Sequence, residues 1–84
     1  MPEFSVATWN VENLFLPEAG AEASYERKLT ILASVLAEID ADVVALQEVG
    51  GDAPLSDLQE RCDGRYPHRR VGVADGRGIT VAFL

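Results

Sequence analysis

The stretch Asp42-Val43-Val44-Ala45-Leu46-Gln47-Glu48-Val49 decides the expected fold of this chain. Its first apolar positions, from Val43 to Leu46, form a short continuous run that follows a helical segment. Such a run is typical of a strand buried on both faces, as in a parallel or mixed sheet. The strand ends on the carboxylate of Glu48, which packing does not explain. Open α/β sheets bind ligands in the crevice beyond the carboxyl ends of their strands, so Glu48 is the first candidate functional residue.

Composition favours one small globular unit. The chain has 84 residues, a net charge of −7 and 48% hydrophobic residues. The hydrophobic content is enough for one core, and the chain is too short for two domains. No run approaches the roughly 20 apolar residues that span a bilayer. The first residues lack the basic and apolar regions of a secretory signal, so a cytoplasmic protein with no membrane partner is expected. Cys62 is the only cysteine, which excludes an internal disulfide and a thiolate zinc cluster.

Hydrophobic patterning predicts strand, helix and strand in succession. Residues 4–10 divide into two alternating sets of side chains that include Phe, Val, Thr and Trp, as in a strand. Residues 11–24 are expected to form a loop. A helix packed on the sheet then begins at Tyr25, with Ser24 as its N-cap. Its apolar stripe consists of Tyr25, Leu29, Leu32, Leu36 and Ile39, widened by Ile31 and Val35.

The second half of the chain predicts one more helix and two extended segments. Pro54 suits the first turn of a short helix, and Gly64 suits a left-handed cap after it. The apolar face of that helix consists of Leu55, Leu58 and Cys62. Residues 66–73 are expected to be extended, 75–78 to form a turn and 79–84 to form an apolar strand. Because the sequence ends inside that strand, we expect residues 1–84 to be a single partial domain.

The basic residues are few and unevenly placed. Four of the seven, namely Arg65, Arg69, Arg70 and Arg77, lie between positions 65 and 77. Arg27 and Lys28 lie off the helix stripe and are expected to be solvated. The acidic balance argues against a wide nucleic-acid-binding face, since phosphate binding relies on Lys and Arg. Arg77 lies between two glycines, where it could approach a phosphate, although a charged turn residue is the simpler interpretation.

The predicted topology brings an amide and a carboxylate to one edge of the sheet. A strand, a crossover helix and a second strand run parallel, so both carboxyl ends lie on the same side. Asn10 closes the first strand, Glu48 closes the second, and Glu12 follows two residues into the loop. Oxygen ligands without His or Cys suit Mg²⁺ or Mn²⁺. The alternative is that Glu48 is only a solvated residue after a strand.

Two blocks of sequence resemble a known family. Thr8-Trp9-Asn10-Val11-Glu12-Asn13-Leu14-Phe15, followed by the stretch from Asp40 to Val49, is similar to the opening of the endonuclease/exonuclease/phosphatase family of metal-dependent phosphodiesterases. The resemblance implies that this mixed α/β sheet with flanking helices is the N-terminal part of a four-layer α/β/β/α sandwich. It also implies that Glu48 binds the metal and that Asn10 lies near the metal and the scissile phosphate. Glu12 occupies a position where relatives carry acidic or amide residues.

The family pattern is incomplete within these residues. Its Asp-x-Asn block and its late Asp-His pair are absent from the 84 residues, and the single histidine, His68, lies outside any matching motif. We therefore expect the complete protein to hydrolyse a phosphodiester, with nucleic acid favoured, and the fragment alone to be inactive. A half-sandwich would leave one sheet face bare for the missing C-terminal segment or for self-association. The alternative function is a non-catalytic α/β module that binds a partner through this open sheet.

Overall fold

The computed structural model describes residues 3–73, 76 and 78–84. Its elements, in chain order, are β1 (Val6–Leu14), α1 (Glu22–Ile39), β2 (Val43–Val49), α2 (Asp52–Arg61), β3 (Arg70–Val71) and β4 (Thr80–Phe83). The strands form one sheet in the order β1-β2-β4-β3. β1 and β2 are parallel, whereas β4 is antiparallel to both of its neighbours. The predicted mixed sheet with flanking helices is therefore confirmed.

One face of the sheet carries the hydrophobic core. Val44 and Leu46 of β2 and Ala82 of β4 are fully buried on this face. The helices contribute five buried leucines to this core, which are Leu29, Leu32 and Leu36 from α1 and Leu55 and Leu58 from α2. Neither helix is long and apolar enough to cross a membrane, among the residues that the structure describes. Burial of these leucines is the main stabilising term of the fold.

The other face of the sheet is open. Four apolar side chains at alternate positions of β1, β2 and β4 point to this face, namely Val6, Val43, Val81 and Phe83. Their exposed fractions range from 38% for Val43 to 61% for Val6. The expectation that β2 is buried on both faces is therefore wrong for this chain. The reason is that α1 and α2 both pack against the same face, so the described residues supply only one covering layer.

The bounds of β1 and β3 differ from the sequence prediction. β1 continues to Leu14, beyond the predicted end at Asn10, because Leu14 pairs with Val49 and its carbonyl accepts the backbone N–H of Gly50 at 2.8 Å. β3 contains only the two residues Arg70 and Val71 of the predicted extended segment. In the predicted turn at 75–78, Asp75 and Arg77 lie outside the described residues.

Helix α1 begins earlier than predicted. α1 starts at Glu22, so Ser24 lies inside its first turn and is not the N-cap. Ala21 holds that position and caps through its backbone, since its carbonyl accepts the N–H of Tyr25 at 3.1 Å. α2 starts at Asp52, which leaves Pro54 in the first turn as predicted.

The predicted stripe of α1 is too wide. Tyr25, Leu29, Leu32 and Leu36 are buried, as expected. Ile31 and Ile39, by contrast, are 61% and 45% exposed. Ile39 is the last helical residue, just before Asp40 turns the chain with a left-handed φ of 49°. Ile31 lies on the flank of the helix that faces away from the core.

Asp42 joins the start of β1 to the start of β2. Its carboxylate accepts the backbone N–H of Ser5 at 2.9 Å, and the Ser5 carbonyl accepts the N–H groups of Asp42 and Val43 at 3.1 Å. The hydrogen bond from the Ser5 backbone, followed by that from the Arg65 guanidinium, holds the pKa of the Asp42 carboxyl below its ordinary value. This connection fixes the lower end of the parallel strand pair.

The upper end of the same pair is irregular. Asn10 pairs with Gln47, but the next paired residues are Leu14 and Val49, so three residues of β1 face the single residue Glu48. On the other side of β2, Leu46 pairs with Ala82 and Val49 with Thr80. Two residues of β2 therefore face one residue of β4, which defines a β-bulge at Glu48.

The bulge decides which side chains enter the core. In a regular strand Glu48 would share the covered face with Leu46, two residues earlier. The bulge instead places Val49, which is fully buried, on that face opposite the buried Thr80. Glu48 takes a left-handed backbone with φ of 62°, which turns its carboxylate out of the core. Burying an unpaired carboxylate would cost more than this strained backbone.

Leu46→Ala is expected to destabilise the chain by about 2–5 kcal/mol, because it opens a cavity at the centre of the covered face. Leu46 is fully buried between β1 and β4. Urea unfolding measures the loss. Val43→Ala, at a position of the same strand on the open face, is the control and should cost less than half as much. Equal losses at the two positions would contradict the one-sided core.

Glu48→Gly is expected to be more stable than Glu48→Ala by about 1 kcal/mol, since a left-handed backbone penalises any residue with a Cβ atom. Gln47, the preceding residue of the same strand, is the matched control, and there Gly should be less stable than Ala. Chemical denaturation of the four variants tests the prediction. The same ranking at both positions would refute the positive φ of Glu48.

Candidate active site

The structure brings Asn10 and Glu48 into direct contact. The side-chain amide Nδ2 of Asn10 donates a hydrogen bond to Oε2 of Glu48. The two side chains therefore meet at the carboxyl edge of the parallel strands, as the βαβ topology predicted. Asn10 is exposed and Glu48 is half-buried, so the pair is open to a ligand from solvent. Their catalytic and metal-binding roles stay predictions.

The Asn10 amide is fixed at both ends. While Nδ2 points to Glu48, Oδ1 accepts the backbone N–H of Glu12 at 2.8 Å. This contact between a side chain and the backbone two residues later is the geometry of an Asx turn. It stabilises the irregular part of β1 at Glu12 and Asn13, whose φ values are 55° and 57°. The orientation of the amide is thus coupled to the local backbone.

Glu12 lies beside this pair, but its carboxylate is not part of the contact. Its backbone bonds to Asn10, and its carbonyl accepts a hydrogen bond from Nζ of Lys28 on α1. The Glu12 side chain is exposed and forms no hydrogen bond or ion pair with any residue that the structure describes. Glu12 therefore places a second, uncommitted carboxylate at the same edge.

Sequence reasoning missed two residues of this region. Lys28 was expected to be solvated, yet it is half-buried and bonds to the Glu12 carbonyl. Gln47, opposite Asn10 in the register, donates from Nε2 to Oγ1 of Thr8 at 2.8 Å. In the sequence, Lys28 was marked only as one of two adjacent basic residues on a helix. Gln47 was marked only as an amide directly before the acidic end of a strand.

The donor set fits an oxygen-binding cation. Glu48 and Glu12 supply carboxylates and Asn10 supplies an amide, and all three are ligands of the kind that Mg²⁺ and Mn²⁺ accept. Across residues 3–73, 76 and 78–84, no group of three or more His, Cys, Asp and Glu could hold a metal ion. The fit is therefore to an ion that takes few protein ligands and fills its other positions with water and phosphate, as Mg²⁺ commonly does.

His68 does not join the site. It is exposed and lies in a shallow cleft with Phe83 and Leu84. In the register, Phe83 pairs with Ala45, and Leu84 exchanges backbone hydrogen bonds with Val44. These residues lie at the opposite end of β2 from Glu48. His68 is therefore too far along the sheet to act on a group held at the Asn10–Glu48 edge.

Two arginines of the cluster are committed to ion pairs. Arg65 pairs with Asp40 at 2.8 Å, and Arg69 pairs with Asp52 at 2.8 Å. Hydrogen bonding from Arg69 lowers the pKa of the Asp52 carboxyl. Arg70 has no such pair among the described residues, and Arg77 lies outside them. Among the described arginines of the cluster, Arg70 is therefore the one that lies outside an ion pair.

The model of the Endonuclease/Exonuclease/phosphatase family matches residues 7–84. No curated protein and no solved structure gives a significant match to the chain. Members of the family are in general hydrolases and typically use divalent metal ions. Because the match covers nearly the whole chain and includes Asn10, Glu12 and Glu48, the chain belongs to the endonuclease/exonuclease/phosphatase family.

Proposed function

We propose that the chain is the N-terminal part of a metal-dependent phosphodiesterase, of nuclease type, that hydrolyses phosphodiester bonds. The observation that carries the proposal is the contact between Asn10 and Glu48 at the carboxyl edge of the parallel strands. A packing role does not account for it, since the bulge turns Glu48 out of the core at the cost of a strained backbone. Membership of a family of nucleases and phosphatases agrees with this chemistry.

In this proposal each residue of the edge has a distinct task. Glu48 would hold Mg²⁺ or Mn²⁺, with Asn10 and Glu12 as neighbouring oxygen donors. When bound, the ion supplies positive charge that polarises the phosphoryl group. Asn10 orients the Glu48 carboxylate through Nδ2, and its own amide is held by the Glu12 backbone. Such fixed polar groups need no reorganisation during the reaction.

The described residues supply only part of a hydrolytic site. A base must activate the attacking water, and His68 lies at the other end of the sheet. We therefore propose that the 84 residues alone have little or no activity. The base and further ligands would come from a missing C-terminal segment that covers the open sheet face. Without that segment, the exposed apolar side chains favour self-association.

The open face also supports the alternative of a non-catalytic module that binds a partner there. Val6, Val43, Val81 and Phe83 form an apolar row of the kind that interaction surfaces use. The alternative requires no metal. Metal binding at Glu48 therefore separates the two functions.

Glu48→Gln is expected to abolish binding of Mn²⁺, because it removes the charged oxygen ligand and keeps the size of the side chain. Paramagnetic broadening of backbone amide signals by Mn²⁺ is the measurement, and it requires no catalysis. In the wild type, broadening should centre on residues 10–12 and 47–50. Glu38→Gln, at an exposed carboxylate on α1, is the control and should bind normally.

The same substitution in the complete protein should lower Mg²⁺-dependent phosphodiester hydrolysis at least 100-fold, the scale of a lost electrostatic group. Undiminished hydrolysis would remove Glu48 from the mechanism. If Mn²⁺ broadens no signals near Glu48 in the wild type, the enzyme proposal gives way to the interaction module.

Val6→Lys is expected to weaken self-association of the 84-residue chain, because it places a charge on the open face. Sedimentation velocity over a range of concentrations measures the effect. Ile31→Lys is a matched control, since both side chains are 61% exposed but Ile31 lies on α1 and not on the sheet. Monomeric wild-type protein at every concentration, or an equal effect of both variants, would contradict an adhesive open face.

A further inference from the structure

A second concave surface lies between the edge strand β1 and helix α1, and we call it the basic cleft. Its volume is about 480 Å³. The residues of its wall that matter for its chemistry are Trp9, Asn10, Glu12, Arg27, Lys28 and Ile31. Asn10 belongs both to this wall and to the Asn10–Glu48 contact. The basic cleft is therefore continuous with the candidate active site.

Among the residues that the structure describes, neither cation of the basic cleft forms an ion pair with an acidic residue. Lys28 donates to the Glu12 carbonyl and Arg27 donates to Oγ of Ser24 at 3.2 Å, and both acceptors are neutral. By contrast, each of Arg61, Arg65 and Arg69 forms an ion pair with Asp or Glu. These partners are Glu26 for Arg61, Asp40 and Asp42 for Arg65, and Asp52 for Arg69. The wall thus holds two cations outside ion pairs against the single carboxylate of Glu12, and this local positive excess in a chain of net charge −7 favours an anionic ligand.

The apolar part of the wall suits a flat ring. Trp9 is half-buried, so part of its indole faces the cleft, and Ile31 is 61% exposed beside it. Aromatic side chains of this kind stack on nucleic-acid bases without regard to sequence. A site with cations and an exposed indole matches a phosphate joined to a base, which is the chemistry of a nucleotide.

We propose that the basic cleft binds the nucleotide next to the scissile phosphodiester of a single-stranded polynucleotide. Arg27 and Lys28 contact its phosphate, and Trp9 stacks on its base. We place this nucleotide next to the scissile phosphodiester because Asn10 lines the cleft and also contacts Glu48, so a ligand in the cleft reaches the Asn10–Glu48 edge. The inference rests on the proposed function only for the reactive phosphate. Binding in the cleft itself needs neither Glu48 nor a metal ion.

Trp9 is the only tryptophan of the chain, so its fluorescence reports on the basic cleft directly. A short single-stranded DNA, added to the 84-residue chain at low salt with a chelator of divalent ions, is expected to quench this fluorescence. Arg27→Gln should weaken binding roughly fivefold and lower the magnitude of the log–log salt slope by about 0.7, the value for one phosphate contact on a single strand. Arg70→Gln removes a cation that is also unpaired among the described residues, but on the opposite edge strand, and should change nothing.

The base contact has its own control. An abasic strand of equal length carries the same phosphates without rings, so it should bind more weakly and leave Trp9 unquenched. Equal quenching by both strands, no quenching by either, or an equal effect of the two arginine variants would overturn the proposal.

Glu48→Gln separates this inference from the proposed function. The variant should keep the quenching by DNA while it loses Mn²⁺. If DNA fails to bind but Mn²⁺ still binds at Glu48, only the proposal of nucleotide binding in the basic cleft is wrong. If DNA quenches the fluorescence of Trp9 and Mn²⁺ does not bind, only the proposed phosphodiester hydrolysis is wrong.

Discussion

The site depends on one local constraint, the conflict between the alternation of β2 and the charge of Glu48. A strand covered on one face must place every second residue in the core, and that rule would bury this carboxylate. The bulge resolves the conflict by moving Val49 into the core in its place. A left-handed residue costs roughly 1–3 kcal/mol, whereas burying an unpaired carboxylate costs more. The strained backbone is the cheaper solution, and it exposes the carboxylate at the edge where β1 ends.

The same irregularity connects the sheet edge to helix α1. Three residues of β1 must be accommodated opposite Glu48, and they include the left-handed Glu12. The Asn10 side chain stabilises this segment through the Glu12 N–H, and Lys28 stabilises it through the Glu12 carbonyl. Carboxylate, amide, backbone and ammonium group thus form one continuous chain of hydrogen bonds. The candidate site and the basic cleft share this chain, so their geometries are coupled.

Sequence patterns predicted the parts of this arrangement that follow from topology. Parallel strands bring their carboxyl ends together, which was sufficient to place Asn10 beside Glu48. The bulge was not predictable, because the left-handed residue is a glutamate and not a glycine, the residue that usually marks such a backbone. The apolar run of β2 suggested burial on both faces, but residue type alone does not show how many layers cover a sheet. Lys28 was missed because its partner is a backbone carbonyl, which has no signature in sequence.

The polar groups on the open face bear on whether a second layer can cover it. A covering layer removes water, so any polar side chain there must already have a partner. The amino group of Gln47 meets this requirement, since its Nε2 donates to Oγ1 of Thr8 at 2.8 Å and to the carbonyl of Ala45 at 3.4 Å. Asn10, which pairs with Gln47 across the two strands, turns its polar groups toward Glu48 and the Glu12 backbone. The face can therefore be buried without leaving the amino groups of Gln47 and Asn10 unpaired, while the Asn10–Glu48 edge stays open to solvent.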